Sequence, residues 1–290
     1  MTTHSDRSTL HQHGTDSGTF AVELILGAPF LLAIAVYVVA VLGDRRRGRR
    51  WPWHRIAFWI TGVTVAATGF VGPLASAAHD SFTAHMGAHL LVGMVAPLLL
   101  VRAAPVTLAL RTMNVVPARR LSRLLRSPPA RVLTDPAVAA LLNVGALWVL
   151  YLTPMYELMQ QVMLVHWMVM LHFLFAGYLY TGSLVGIDPS PHRAGFALRS
   201  VVLVLSLAAH GVLAKLLYAY PPPGVPTAEA HSGAQVMFYG GDVVDFVLIV
   251  LLCAQWYRVT GRRLHTTPAT AATLPDSAST RSRSGTAKGN

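Results

Sequence analysis

Long apolar segments separated by short polar links dominate the pattern of residues along this chain. Seven of the segments reach the roughly 20 residues that a helix needs to cross a hydrocarbon core. Each is too long for a strand and lacks the alternation of polar and apolar positions, so each is predicted to be a helix. The segments are 20–42, 56–78, 84–103, 136–154, 163–186, 197–220 and 234–257. The pattern therefore predicts an all-α bundle of seven transmembrane helices.

The composition is typical of a membrane protein, and the cysteine count excludes two kinds of cysteine site. Of the 290 residues, 53% are hydrophobic and 12% are charged, and the charged share is about half that of an average soluble domain. A soluble domain could not keep so much apolar surface from water, so we expect a multi-pass protein of a bacterial plasma membrane. The single cysteine, Cys253, excludes a disulfide within one chain and a cysteine-based zinc site.

The basic residues alternate between links and predict the orientation. Clusters of arginine fill the first and third links, smaller sets follow in the fifth link and after the last helix, and 77–83, 155–162 and 221–233 contain no Lys or Arg. By the positive-inside rule the N-terminus lies outside and the C-terminus in the cytoplasm. The net charge of +11 is then explained by topology beside a lipid bilayer, and nucleic acid is excluded as a partner.

Three regions follow from these patterns. Residues 1–19 form a polar N-terminal tail, 20–258 the seven-helix transmembrane domain, and 259–290 a cytoplasmic tail rich in Ser, Thr and Ala that is predicted to be disordered.

Ionisable residues within the helices concentrate between the predicted outer surface and the middle of the membrane. His85 and His89 are four residues apart, so on a helix they lie on one face, and His79 and Asp80 precede them. Such residues inside a bilayer indicate a functional site. The other members of this group are His166, His172, His210, Lys215, Asp242 and Asp245.

Histidine together with methionine at the outer side of a membrane favours copper, whereas histidine with aspartate alone would favour zinc or a two-metal site. We expect His85 and His89 as ligands with His166 third, while His79 or Met86 meets an arriving ion and Asp80 orients a ring. A purely structural histidine pair and methionines that only pack remain open alternatives. Loop carboxylates such as Glu229 are expected to be solvated.

The third helix resembles the CtaG-like cytochrome c oxidase assembly factors of the caa3 type. The resemblance covers about residues 20–258. It rests on the histidine motif in His85–Leu91, the proline-containing run Val95–Val101, the run Ala104–Arg111, and further matches at Asp135-Pro136, Thr153–Tyr156, Asp188–Pro191 and Tyr220-Pro221.

This resemblance implies a seven-helix protein that helps a haem–copper oxidase mature, with copper as its cargo and an oxidase subunit as its partner. It implies no enzymatic activity. Carried over residue by residue, it implies His85, His89, His166 and His172 as metal ligands. The chain departs from the family at 232–242, which lacks the usual tryptophan and carries an additional acid, Asp242.

Other functions remain open at this stage. An ion or proton transporter would use His172, His210, Lys215 and Asp242 as a relay toward the midplane. A membrane metal enzyme would need an open coordination position and a base, for which Asp242 could serve. A metal-free scaffold would only hold oxidase subunits together. The Gly240-Gly241 pair is expected to permit close helix approach.

Overall fold

The computed structural model describes residues 7–266, and side chains over 23–261. Within this range the chain is all-helical and contains no strand, which confirms the predicted class. In the first half the helices are α1 Arg7–Arg46, α2 Trp53–Ala67, α3 Pro73–Asp80, α4 Phe82–Leu90, α5 Ala96–Arg102, α6 Pro105–Thr112, α7 Val115–Leu125 and α8 Pro128–Leu133. In the second half they are α9 Pro136–Ala140, α10 Ala146–Leu152, α11 Met155–Gln161, α12 Met163–Val185, α13 Phe196–Ala219 and α14 Thr227–Thr266.

Two five-residue π-helical segments join neighbouring α-helices. Leu91–Val95 connects α4 to α5, and Leu141–Gly145 connects α9 to α10. A π-helical turn adds a residue to one turn and so changes the direction of the side chains that follow it; such turns occur often at functional sites.

The predicted count of seven spans is not reached among the described residues. Five helices are long and apolar enough to cross a membrane, and a sixth follows if the pair Pro136–Leu152 and Met155–Gln161, bent by 81°, is one span. The five are Glu23–Arg46, Phe82–Arg102, Met163–Val185, Phe196–Ala219 and Thr227–Gly261.

Turn residues explain the difference. The predicted segment 56–78 is divided because α2 ends at Ala67, Gly72 adopts φ +87° and Pro73 starts a new helix. A positive φ favours glycine, and proline suits a first helical position, so this pair ends one helix and begins another. The segment therefore contains a 15-residue helix and an 8-residue helix rather than one long span.

The first and last helices extend beyond the predicted spans. Helix α1 begins at Arg7, and α14 continues to Thr266. The ends of the two predicted tails, 1–6 and 267–290, lie outside the described residues. The domain boundaries and the orientation of the bundle in the membrane stay predictions.

Small residues allow the helices to approach closely. A Cβ on Gly240 would lie 2.4 Å from Leu90 Cδ2, and one on Gly241 would lie 2.6 Å from His210 Cε1. The predicted role of this glycine pair is thereby confirmed. A Cβ on Gly177 would lie 2.2 Å from the Gly93 carbonyl oxygen, so α12 packs directly against the backbone of the first π-helical segment.

Two carboxylates, one from α1 and one from the link after α12, bind helix α6. Asp188 accepts hydrogen bonds from the backbone N–H groups of Val106 (3.2 Å) and Thr107 (2.7 Å) and from the Thr107 hydroxyl (2.6 Å). Asp44 is fully buried and pairs with Arg111 at 3.0 Å. Both carboxylates therefore bind residues of the run Ala104–Arg111 and hold α6 in place.

We predict that Asp188→Ala lowers the thermal stability of the protein. The change leaves two N–H groups and a hydroxyl at the start of α6 without their acceptor, at a cost of about 2–3 kcal/mol. Thermal unfolding in detergent should show a lower Tm than the wild type. Glu157→Ala is the control, because it removes an exposed carboxylate that makes no hydrogen bond or ion pair among the described residues. Equal Tm values for the two variants would contradict this role.

Candidate functional site

Three histidines from three helices meet at one end of the bundle. His79 ends α3, His85 lies in α4 and His166 lies in α12. The ring centroids of His79 and His166 are 4.6 Å apart, and those of His85 and His166 are 6.0 Å apart. We call these three residues the histidine cluster, and the end of the bundle that holds it the histidine end.

The cluster combines two buried rings with one exposed ring. His85 is 2% exposed and His166 is 3% exposed, whereas His79 is exposed. The Nδ1 atoms of both buried rings are inaccessible and have no hydrogen-bond partner among the described residues. Because an unpartnered buried polar atom costs about 1–3 kcal/mol, these two nitrogens indicate a place where a ligand could be bound.

Aromatic residues and a methionine surround the buried side of the cluster. The His85 ring lies 5.8 Å from the Tyr156 ring and 6.4 Å from the Phe82 ring, centroid to centroid. Met86 is fully buried, and its sulfur accepts a hydrogen bond from the Tyr151 hydroxyl at 3.7 Å. Aromatic rings and a buried methionine thus enclose His85, while His79 is exposed.

The start of α4 is held by contacts from near and far in the sequence. Ser81 Oγ accepts a hydrogen bond from the Ala84 N–H, and Glu229 of α14 accepts one from the Phe82 N–H at 2.8 Å. A carboxylate suits a helix N-terminus. The expectation that Glu229 is a solvated loop charge is therefore wrong, because it fixes the helix that carries His85.

His89 faces a different environment from His85. It lines an enclosed cavity of about 20 Å³, which has room for about one water molecule. Both π-helical segments contribute to this cavity, and so do α12, α13 and α14. Its polar lining residues are His89, Asn143, Tyr180, Ser206, His210 and Asp245.

The remaining candidates are not part of the histidine cluster, although Asp80 directly follows His79. His172 is exposed, and its Nε2 lies 2.9 Å from the Leu142 carbonyl oxygen. Asp80, Lys215 and Asp242 are also exposed, and no ion pair joins Lys215 to Asp242 among the described side chains. His210 is buried beside the small cavity. The structure thus brings His85 and His166 together but not His89 or His172 with them.

The described side chains do not form a ready metal site. Among them no group of three or more His, Cys, Asp or Glu residues is arranged to hold an ion. Two pairs of rings in the histidine cluster are nevertheless close neighbours. An ion shared by all three rings would require their side chains to change conformation, as side chains often do on binding.

Sequence reasoning missed several residues of this region. Asn143 and Ser206 are polar residues inside apolar segments, and that property could have identified them as cavity residues. Tyr151 and Tyr156 carry no such signal, since tyrosines near a membrane surface are common. The contact from Glu229 to α4 spans 147 positions and has no local signature.

Comparison with known proteins gives one family and several relatives. The family model described as cytochrome c oxidase caa3 assembly factor matches residues 35–259. The chain is 27% identical over 257 residues to an uncharacterized protein of Mycobacterium leprae and 31% identical over 259 residues to one of Mycobacterium bovis. Each match covers 81% of this chain and 39% of the relative, so the chain spans about two fifths of the length of these proteins. No solved structure matches the chain significantly.

We predict that diethylpyrocarbonate modifies the histidine cluster unevenly. His79 is exposed and should react fast, whereas His85 is shielded by protein on all sides and should react at least about tenfold more slowly. Peptide mapping by mass spectrometry of the protein in detergent measures both rates, and the same reaction after unfolding in SDS is the control. Equal rates in the folded protein would contradict the placement of His85.

Proposed function

This chain belongs to the family of cytochrome c oxidase caa3 assembly factors, and we propose that it holds copper at its histidine end and passes the ion to an oxidase subunit. The observation that carries this proposal is the convergence of His85 and His166 with unpartnered Nδ1 atoms beside an exposed third imidazole. The proposed ligands are His79, His85 and His166.

The spacing of the rings supports this ligand set. Two imidazoles that share one tetrahedral ion have centroids about 5 Å apart, given metal–nitrogen distances near 2.0 Å. The two measured separations in the cluster, 4.6 and 6.0 Å, lie on either side of that value. Neutral imidazole is a common copper ligand, and burial of His85 and His166 keeps competing water away.

The position of the cluster also supports transfer rather than storage. His79 lies at the surface and can meet an ion first, while the two buried rings hold it. A site with few, replaceable ligands near a surface releases its ion by ligand exchange more readily than a closed cage. Copper is cargo here, so the role is that of a chaperone, not of an enzyme.

We further propose that the histidine end faces the outside of a bacterial plasma membrane. The links at the other end hold most of the arginines, which favours the cytoplasm for that end. In this topology α2 and α3 would together complete one crossing, and the bent pair α9–α11 another.

The layering of the bundle argues against a transporter. An apolar layer separates the small cavity from the arginines at the other end. It contains Leu184, Val185, Val202, Leu203, Leu248 and Leu252, which are all buried. On α14 it contributes Leu248 and Leu252, between Asp245 and Gln255, which are ten residues or about 15 Å of helix apart. Among the described residues, this layer therefore separates the polar groups of the cavity from the arginines. Three members of the relay suggested for a transporter, His172, Lys215 and Asp242, are also exposed.

We predict that the double variant His85→Ala/His166→Ala loses copper. Without these rings only one imidazole of the cluster remains, which cannot hold the ion alone. Elemental analysis of detergent-purified protein after copper loading and dialysis should show less than about a tenth of the wild-type content.

His89→Ala is the matched control, because it removes an equally buried ring of the same helix outside the cluster. His172→Ala removes an exposed ring. Both should retain wild-type copper content, and circular dichroism should show equal helix content for all variants. Copper retained in the double variant, or lost in His89→Ala alone, would contradict the proposed ligand set.

We predict opposite accessibility for cysteines at the two ends. In a background with Cys253→Ser, a membrane-impermeant maleimide should label Asp80→Cys in intact cells. It should label Asn114→Cys, at the start of α7, only after permeabilisation. Both positions are exposed, so the comparison reports topology, and the reverse pattern would overturn the orientation.

A further inference from the structure

A large cleft at the other end of the bundle carries an excess of positive charge. Its volume is about 920 Å³, and its walls come from α2, α5, the link between α12 and α13, and the last turns of α14. Among the side chains that the structure describes, five arginines and no Asp or Glu line it. They are Arg55, Arg102, Arg193, Arg199 and Arg258. We call this region the arginine cleft.

No carboxylate among the described side chains pairs with the arginines of the cleft. The only ion pairs among the described side chains involve Asp44 with Arg49 and Arg111, which lie outside the cleft. Asp188, in the link beside it, already accepts three hydrogen bonds from the start of α6. Uncompensated charges partly shielded from water are costly, so the cleft has the electrostatics of an anion site.

Hydrogen bonds within the protein already hold Arg199 in position. Arg199 is 9% exposed, and its Nη1 donates to the Leu184 carbonyl oxygen at 2.7 Å and to Gln255 Oε1 at 3.1 Å. These bonds fix the guanidinium at the base of the cleft. The Nε atoms of Arg199 and Arg55 are inaccessible and have no partner among the described residues.

We propose that the arginine cleft binds the phosphate-bearing headgroup of an anionic phospholipid. Guanidinium groups match phosphate oxygens in geometry and charge, and basic clefts between transmembrane helices bind such headgroups. The chemistry of the rim favours a lipid over a free anion. Trp256 and Val259 on α14 line the cleft and are about half exposed, which offers an apolar surface to acyl chains.

This site is distinct from the histidine cluster. His85 and Arg102 lie near opposite ends of the same span, Phe82–Arg102, and their separation of 17 positions in the sequence corresponds to about 25 Å of helix. The inference therefore does not depend on copper binding, and either one can fail without the other.

Native mass spectrometry of the full chain, purified in detergent and stripped of lipid, tests the proposal. Cardiolipin and phosphatidylglycerol should form adducts at concentrations where phosphatidylcholine does not. The triple variant Arg102→Gln/Arg193→Gln/Arg258→Gln should bind cardiolipin at least about tenfold more weakly, since each arginine contributes on the order of 1 kcal/mol. Arg193 also donates to the Gly186 carbonyl oxygen within its own link. Arg199 is left in place because it is buried and joins α12 to α14 through Leu184 and Gln255.

The control is the triple variant Arg119→Gln/Arg120→Gln/Arg123→Gln, which removes the same charge from exposed positions on α7 and should bind cardiolipin like the wild type. Equal loss in both triple variants, or equal binding of phosphatidylcholine, would overturn the proposal. Displacement of cardiolipin by millimolar inorganic diphosphate would also overturn it, in favour of a soluble phosphate ligand.

A single variant covers the case in which the cleft triple variant does not fold. Arg258 is exposed near the end of α14, so Arg258→Gln should keep the fold. It should weaken cardiolipin binding about fivefold, and unchanged binding would count against the cleft.

Discussion

Two buried imidazole nitrogens without hydrogen-bond partners set the constraint on which the histidine end depends. In a bilayer, polar atoms need a partner from the protein or from a ligand, and Nδ1 of His85 and of His166 has none among the described residues. Contacts around the two rings hold them in place although their unpartnered nitrogens are unfavourable in free energy. Ser81 and Glu229 fix the start of α4, and aromatic rings close the cluster from below. The proposed role as copper ligands would give these two nitrogens the partner that the packing does not supply.

An apolar layer of the bundle lies between the histidine cluster and the arginine cleft. The histidine cluster lies at one end, the arginine cleft lies at the other, and buried leucines and valines of α12, α13 and α14 fill the space between them. Such a layer suits a protein that binds separate ligands at its two ends. In the two proposed roles, the histidine end handles copper and the arginine cleft binds a lipid headgroup.

Local patterns predicted much of the fold, and non-local contacts account for most of what was missed. Apolar runs of about 20 residues predicted the helical class, but they could not show that Gly72 and Pro73 divide one run into two helices. The i, i+4 spacing placed His85 and His89 on one face, and both rings do lie against α12, but at different depths. His85 lies beside His166, whereas His89 lies beside Phe173 and the small cavity. The contact from Glu229 depends on how α14 folds back, which no local pattern encodes.

The coordination of copper tests the convergence of the histidine cluster most directly. X-ray absorption spectroscopy of the copper-loaded protein measures the type and number of atoms around the ion. We expect two or three imidazole nitrogens at about 2.0 Å, contributed by helices that are far apart in the sequence. A copper ion coordinated by sulfur alone, or by a single imidazole, would contradict a site formed by His79, His85 and His166.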